Sequence, residues 1–244
     1  MDLTGASVDV VLLTKNSERK LKDCVESIYR NVPVAHLIVV DGYSTDRTLE
    51  IMAAFNEKHG NVEVIMDRGN RATGRQRGIE AVKTEWFLFV DSDVVLCRDW
   101  YKKAQKHIRP DVGAVWGIEV WSTIEKPKTL RLFLTTTRKI FEVRGGTHDT
   151  LIRTSLMKDI HIPSGLHVFE DAYIKDWITN QGFRVVPCYD PFCIHYRPES
   201  VWTVRGSLGL IAEAFEYGNP RLISRLFLAY GFYTVYSIYQ VISR

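Results

Sequence analysis

The chain carries little net charge: +3 with histidine neutral, from 32 Lys and Arg against 29 Asp and Glu. A nucleic-acid partner asks for a basic stripe, so none is expected. The four cysteines, Cys24, Cys97, Cys188 and Cys193, form no C-x-x-C pair. That spacing argues against a zinc ribbon or a dithiol redox centre. They read as reduced thiols of a cytoplasmic protein. No secretory leader is expected, because Met1 to Val10 lacks a basic start and contains Asp2 and Asp9. Internal repeats and low-complexity stretches are also missing.

What is present is a folded composition, 45% hydrophobic and 25% charged over 244 residues. That length suits one α/β domain with a small appendage. Apolar runs at Val8–Leu13, which is rich in β-branched residues, His36–Val40, Val62–Met66 and Trp86–Val90 read as strands. Between them, Leu21–Tyr29, a stretch reaching Lys58, and Gly74–Lys83 read as helices. In the second of these, Leu49, Met52, Ala53 and Phe55 face inward, and Ser44 or Thr45 caps the start. Alternation of this kind predicts a parallel, doubly wound sheet, with ligands at the carboxyl ends of the strands.

The second half is less regular. A strand is expected at Val112–Trp121, a helix at Pro127–Ile140, and a break at Gly145-Gly146. Asp159–Phe169 reads as a long loop. A helix follows at Asp171–Asn180, closed by Gly182, and then a strand at Phe183–Val186. The tail from Ser200 onward has a helical pattern, interrupted at Gly218-Asn219-Pro220.

Four loops hold the candidate chemistry. Asp91-Ser92-Asp93 directly follows the most hydrophobic strand. Two carboxylates so close repel each other unless a cation or donors share their space, and oxygen ligands suit Mg²⁺ or Mn²⁺. Asp41 leaves the second strand, placed to accept hydrogen bonds from a base or ribose. Asn70 to Gly78 is basic, and an arginine there can grip a diphosphate with two parallel bonds. Glu170-Asp171 opens a helix, where the helix dipole favours acids. The same position suits a general base.

In chain order these are Val11-Leu12-Leu13-Thr14-Lys15-Asn16, Val39-Val40-Asp41-Gly42-Tyr43-Ser44-Thr45-Asp46, Gly74-Arg75-Gln76-Arg77-Gly78-Ile79, Phe89-Val90-Asp91-Ser92-Asp93 and Glu170-Asp171. Together they resemble the family 2 glycosyltransferases of the GT-A fold, over about residues 8 to 217. The resemblance implies a central, mostly parallel sheet flanked by helices, with C-terminal helices. It implies that Thr14, Asn16, Asp41, Arg75, Asp91 and Ser92 bind the nucleotide sugar. Asp91 and Asp93 would bind the metal, and His195 resembles a late histidine found there in some members. Asp171, with Glu170 beside it, matches the base.

The pattern also departs from the family. Asp41-Gly42 replaces a double acid, Gln76 stands where an asparagine is usual, and Lys15 where an aromatic is common. No Q-x-x-R-W motif occurs, although Trp202 and Arg205 lie in that region, which argues against a processive synthase.

The expected activity is therefore metal-dependent, inverting transfer from a nucleoside diphosphate sugar to a hydroxyl or a polyprenyl-phosphate-type acceptor. Two rivals stand beside it. A nucleotidyltransferase would carry a glycine- and lysine-rich loop after the first strand, and Thr14-Lys15-Asn16-Ser17 lacks glycine. A catalytically silent nucleotide-sugar-binding module would have no need to keep Asp91, Asp93 and Asp171 together.

The catalytic domain is read as 1–217 and the tail as 218–244. Leu226 to Ile242 carries no charged residue. A helix apolar on most faces must be buried, against its own domain, in a homodimer, or at the cytosolic face of a membrane. Its length is near the lower end of the about 17–25 residues that span a bilayer.

Overall fold

The computed structural model describes residues 6–121, 146–196, and 212, 213, 215 and 217. The expected helix at 127–140 and the tail at 218–244 lie outside the described residues. The elements, in order, are β1 (Val8–Thr14), α1 (Glu18–Asn31), β2 (Val34–Asp41), α2 (Thr48–His59), β3 (Val62–Met66), α3 (Arg71–Ala81), β4 (Trp86–Asp91), β5 (Val94–Leu96), α4 (Trp100–Gln105), β6 (Val112–Trp121), β7 (Asp149–Arg153), a 3₁₀ turn (Thr154–Met157), α5 (Glu170–Asn180) and β8 (Arg184–His195).

One eight-stranded sheet runs β3-β2-β1-β4-β7-β6-β8-β5. The first four of these are parallel, as the alternation of strand and helix predicts. The other half is mixed. β7 is antiparallel to both neighbours, β6 and β8 are parallel, and β5 is antiparallel to β8.

Both faces of β1, β2 and β4 are covered, which is why their central positions are apolar on both sides, while β3 at the edge is partly exposed. Val10, Leu12, Leu37, Val39, Leu88 and Val90 pack on one side with α1, α2 and α4. Val11, Ile38, Phe87 and Phe89 pack on the other with α3 and α5. In α2, Met52 and Phe55 are buried, Leu49 is half-buried, and Ala53 is exposed instead of inward.

Several boundaries differ from the expected ones for local reasons. α3 begins at Arg71, before Gly74, because the Asn70 side chain accepts the Thr73 N–H at 3.2 Å. The first turn of α2 is capped by Asp46, which accepts from Thr48 N–H at 3.0 Å, while Ser44 turns back to Asp41. β8 runs on to His195 through Pro187 and Pro191, which the ladder tolerates by skipping from Cys188 to Phe192 opposite Gly117 and Ile118.

The sheet curls. In pairing order, four gaps separate β4 from β5, about 19 Å if the sheet were flat. Yet only Ser92 and Asp93 link the two strands, and three residue steps span at most about 11 Å. The far edge must therefore bend back toward the carboxyl end of β4.

α3 lies close on β1 because of its glycines. A Cβ on Gly78 would stand 2.3 Å from Val11 Cγ1, and one on Gly74 would stand 3.1 Å from Leu13 Cδ2. Val11 is fully buried and β-branched, so it has little freedom to move aside. Gly78→Ala should destabilise the fold by about 1–3 kcal/mol through overpacking. The check is a lower urea midpoint with an unchanged slope.

Candidate active site

The carboxyl ends of β1 and β2 are tied at one carboxylate. Thr14 pairs with Asp41 in the ladder, and its hydroxyl donates to Asp41 Oδ1 at 2.7 Å. Ser44 adds its N–H to Oδ2 at 2.7 Å and its hydroxyl to Oδ1 at 2.6 Å. Asp41 is fully buried beneath this loop. Asn16, held at positive φ, bridges the same loops: its N–H donates to Ser44 Oγ at 2.8 Å and its Oδ1 accepts Thr45 N–H at 2.8 Å. Ser92 reaches the first loop through Ser17, oxygen to oxygen at 2.9 Å. Thr14, Asn16, Asp41 and Ser92 thus line one continuous set of loops.

Arg75 does not extend into solvent. It is 2% exposed, lies over the Phe89 ring, and donates from Nη2 to Asp91 Oδ1 at 2.5 Å. Its Nε and Nη1 have no hydrogen-bond partner among the described residues. Burial works to raise the Asp91 carboxyl. The positive charges of Arg75, His148, His195 and Arg71 outweigh it and hold the group well below the usual carboxylate range. Arg71 and Arg77 are exposed, the latter 3.7 Å from Glu80.

The curl delivers His195. β5 starts one residue after Asp93 and pairs antiparallel with β8, placing His195 opposite Val94. Tyr196 N–H then donates to the Asp93 carbonyl at 2.8 Å, and His195 Nε2 stands 3.0 Å from Asp93 Oδ1. Ligand atoms of Asp91, Asp93 and His195 all lie within 4.8 Å of one another. The two carboxylates stay open to incoming groups, at 31% and 35% exposure.

This donor set fits a divalent ion. An octahedral ion with bonds of about 2.0–2.1 Å holds adjacent ligand atoms about 3 Å apart, close to the His195–Asp93 separation. Two carboxylates with one imidazole suit Mn²⁺, and Mg²⁺ through the oxygens.

Behind the cluster lie buried polar residues that sequence reasoning missed. Glu119 Oε2 faces His195 Nδ1 at 2.7 Å and His148 Nε2 at 3.8 Å. His148 Nδ1 meets Asp149 Oδ1 at 2.7 Å, and Asp149 Oδ2 accepts the Trp100 indole N–H at 2.8 Å. Gly117 makes room, since a Cβ there would meet Asp149 Oδ2 at 2.2 Å. One signal was available: Glu119 is a lone acid in an otherwise apolar strand, which is costly unless the residue is paired. All four cysteines are buried free thiols. Burial pushes Cys188 up to about 12 and raises the other three, so none is a thiolate nucleophile.

Glu170 and Asp171 are buried at the N-terminus of α5, and Asp171 Oδ1 accepts the Ala172 N–H at 2.7 Å. The loop ahead of them is fastened twice. Gln76 holds it to α3, accepting Ile162 N–H at 3.0 Å and donating to the Ile160 carbonyl at 3.2 Å. Glu213 Oε1 accepts three successive N–H groups, from His167, Val168 and Phe169, at 2.8–2.9 Å. Tyr217 stacks on Phe169 and donates to Asp176 Oδ2 at 2.7 Å. Glu213, too, was not legible in the sequence, because its partners are backbone groups.

Residues 9–158 match the profile described as Glycosyl transferase family 2. The chain belongs to that family. Over 191 residues it is 33% identical to the poly(ribitol-phosphate) beta-glucosyltransferase of Bacillus spizizenii, covering 69% of this chain and 30% of the relative. It is 27% identical over 174 residues to poly(ribitol-phosphate) beta-N-acetylglucosaminyltransferase TarS of Staphylococcus aureus, covering 66% of this chain and 30% of that protein. The family 2 chain spans about a third of the length of these curated relatives.

Among solved structures, it resembles the mannosyltransferase PcManGT of Pyrobaculum calidifontis, in complex with GDP-Man and Mn²⁺. The TM-score is 0.70 and the identity 19%, covering 89% of this chain and 68% of that one. It also resembles glucosyl-3-phosphoglycerate synthase of Mycobacterium tuberculosis, in complex with Mn²⁺, UDP-glucose and phosphoglyceric acid. There the TM-score is 0.61 and the identity 18%, covering 91% and 80%. These likenesses show the GT-A fold.

Glu213→Ala should leave the three N–H groups of the loop before Glu170 without their acceptor. The expected loss is about 1–3 kcal/mol, read as a lower midpoint of thermal or urea unfolding.

Proposed function

We propose that this chain transfers a sugar, with inversion, from a nucleoside diphosphate sugar to an acceptor hydroxyl, in a metal-dependent and non-processive reaction. The observation that carries the reading is the convergence of Asp91, Asp93 and His195 at the carboxyl end of β4. Family membership supports glycosyl transfer over nucleotidyl transfer.

Thr14, Asn16 and Asp41 shape the loops against which the nucleoside lies. Asp93, His195 and Asp91 hold the divalent ion, which when bound supplies positive charge against the departing diphosphate. Arg75 keeps Asp91 ionised and aimed. Asp171 takes the proton from the acceptor hydroxyl. The oxygen then forms its bond to the anomeric carbon as the carbon–diphosphate bond breaks on the opposite face.

The two relatives named for poly(ribitol-phosphate) support an alcohol on an anionic envelope polymer as the acceptor class. A lipid phosphate is the second reading, since such an oxygen needs no base. Among the described residues, no helix is long and apolar enough to cross a membrane. We assign the uncharged run 226–242 to contact with a membrane surface or a second copy of the chain.

Two experiments test the reading. Incubation with a panel of nucleotide sugars should release free nucleoside diphosphate, stop in excess chelator, and resume with Mn²⁺ or Mg²⁺. Asp93→Asn should behave like the chelated enzyme while remaining folded, because the neutral amide is a poorer ligand and repulsion in the pair is relieved. Full turnover in chelator would refute the metal role.

Asp171→Asn should cut turnover by about 10²–10⁴-fold with donor affinity almost unchanged. Lost donor binding with retained turnover would make Asp171 a ligand instead of the base. A small loss of turnover would favour the phosphate acceptor.

A further inference from the structure

Glu119 is 1% exposed, and burying a carboxylate costs several kcal/mol unless its partners repay it. An apolar pair at this point of the β6–β8 ladder would pack without that cost. The register explains what the acid reaches. β6 and β8 run parallel, with Glu119 aligned to Cys193 and Trp121 to His195. Side chains two residues apart share a face of the sheet, so Glu119 and His195 are diagonal neighbours on one face, within reach of a long side chain. The contact is made at 2.7 Å, to Nδ1. The opposite ring nitrogen, Nε2, then faces Asp93 at 3.0 Å. The imidazole ring stands between the two carboxylates, so Glu119 cannot share an ion with Nε2.

An imidazole offers a lone pair to a metal through one nitrogen only when the other carries the proton, and a carboxylate accepting that N–H fixes both tautomer and ring orientation. From this geometry we propose that Glu119 is a positioning residue. By accepting the Nδ1–H of His195 it holds the ring with Nε2 turned toward Asp91 and Asp93 as a metal ligand. His148, packed edge-on to the His195 ring at 6.3 Å between centroids, stands 3.8 Å from the same Glu119 oxygen. The proposal rests on the metal site described above and assigns Glu119 a part in it that the sequence motifs do not indicate.

The test is metal binding without turnover. The full 244-residue chain is titrated with Mn²⁺, and free ion is read by electron paramagnetic resonance. Glu119→Gln keeps the volume and loses the charge, and should raise the Mn²⁺ dissociation constant about 10–100-fold, the usual effect of removing such a partner. His195→Ala should weaken binding as well, and adding Glu119→Gln to it should change nothing further, because Glu119 acts through the ring. A purely structural Glu119 would lower the unfolding midpoint and leave the constant unchanged.

Should Glu119→Gln fail to fold, the wild type still decides. With saturating Mg²⁺, the ¹⁵N spectrum of His195 should show the proton on Nδ1. A proton on Nε2, wild-type Mn²⁺ affinity in folded Glu119→Gln, or equal weakening in the presence and absence of His195 would overturn the proposal. If the wild-type chain binds no Mn²⁺, the metal site itself fails and the proposal falls with it. That outcome is distinct from loss of the Glu119 effect alone.

Discussion

The two-residue link between β4 and β5 constrains everything around the site. A chain that leaves β4 at Asp91 and must pair with β8 by Val94 can do so only if the sheet folds its far edge back over β4. Without that fold the carboxyl end of β4 would hold Asp91 with its Arg75 partner, and Asp93 would lack its imidazole. Closure brings His195 of β8 to Asp93, while β7, the direct neighbour of β4, sets His148 and Asp149 behind the pair, and Glu119 of β6 joins His195 there. The electrostatics then balance locally. Four acids share a small volume with Arg75 and two imidazoles, and in the interior each unpaired charge would cost far more than it does in water.

Within that arrangement the aspartates are not equivalent. Asp91 is paired with a buried guanidinium and fixed by it, and its own N–H donates to the His148 carbonyl at 3.2 Å. Asp93 is joined to an imidazole whose other nitrogen is already spoken for. Arg75 spans the gap between α3 and β4, and it does so because Gly74 and Gly78 let the helix settle on β1. α3 and the carboxyl end of β4 are thereby linked through one buried side chain.

Much of this was legible. The four parallel strands announced themselves through apolar runs. The acids at Asp41, Asp91, Asp93 and Asp171 stood out at loop positions where a doubly wound sheet binds ligands. The second half was harder to read, for physical reasons. β7 opens with Asp149, and an acid that depends on Trp100 and His148 for burial looks like a loop residue until the partners are placed. β8 contains two prolines, which normally mark the end of a strand. β5 has three residues, too few for a pattern. Glu213 serves backbone N–H groups some 45 positions earlier, and such contacts leave no trace in residue types.

The three N–H groups that converge on Glu213, and the pairing of Asp93 with His195, share a property: each joins residues far apart along the chain. Contacts at long sequence separation form late, because the loop entropy is lost before the contact repays it. Within the parallel half, β1 with β2 and β2 with β3 join residues about 25–27 positions apart, whereas β1 with β4 joins residues 78 apart. Loop closure is therefore least costly for β1, β2 and β3, and the approach of His195 to Asp93, 102 positions apart, carries the largest entropic cost of these contacts.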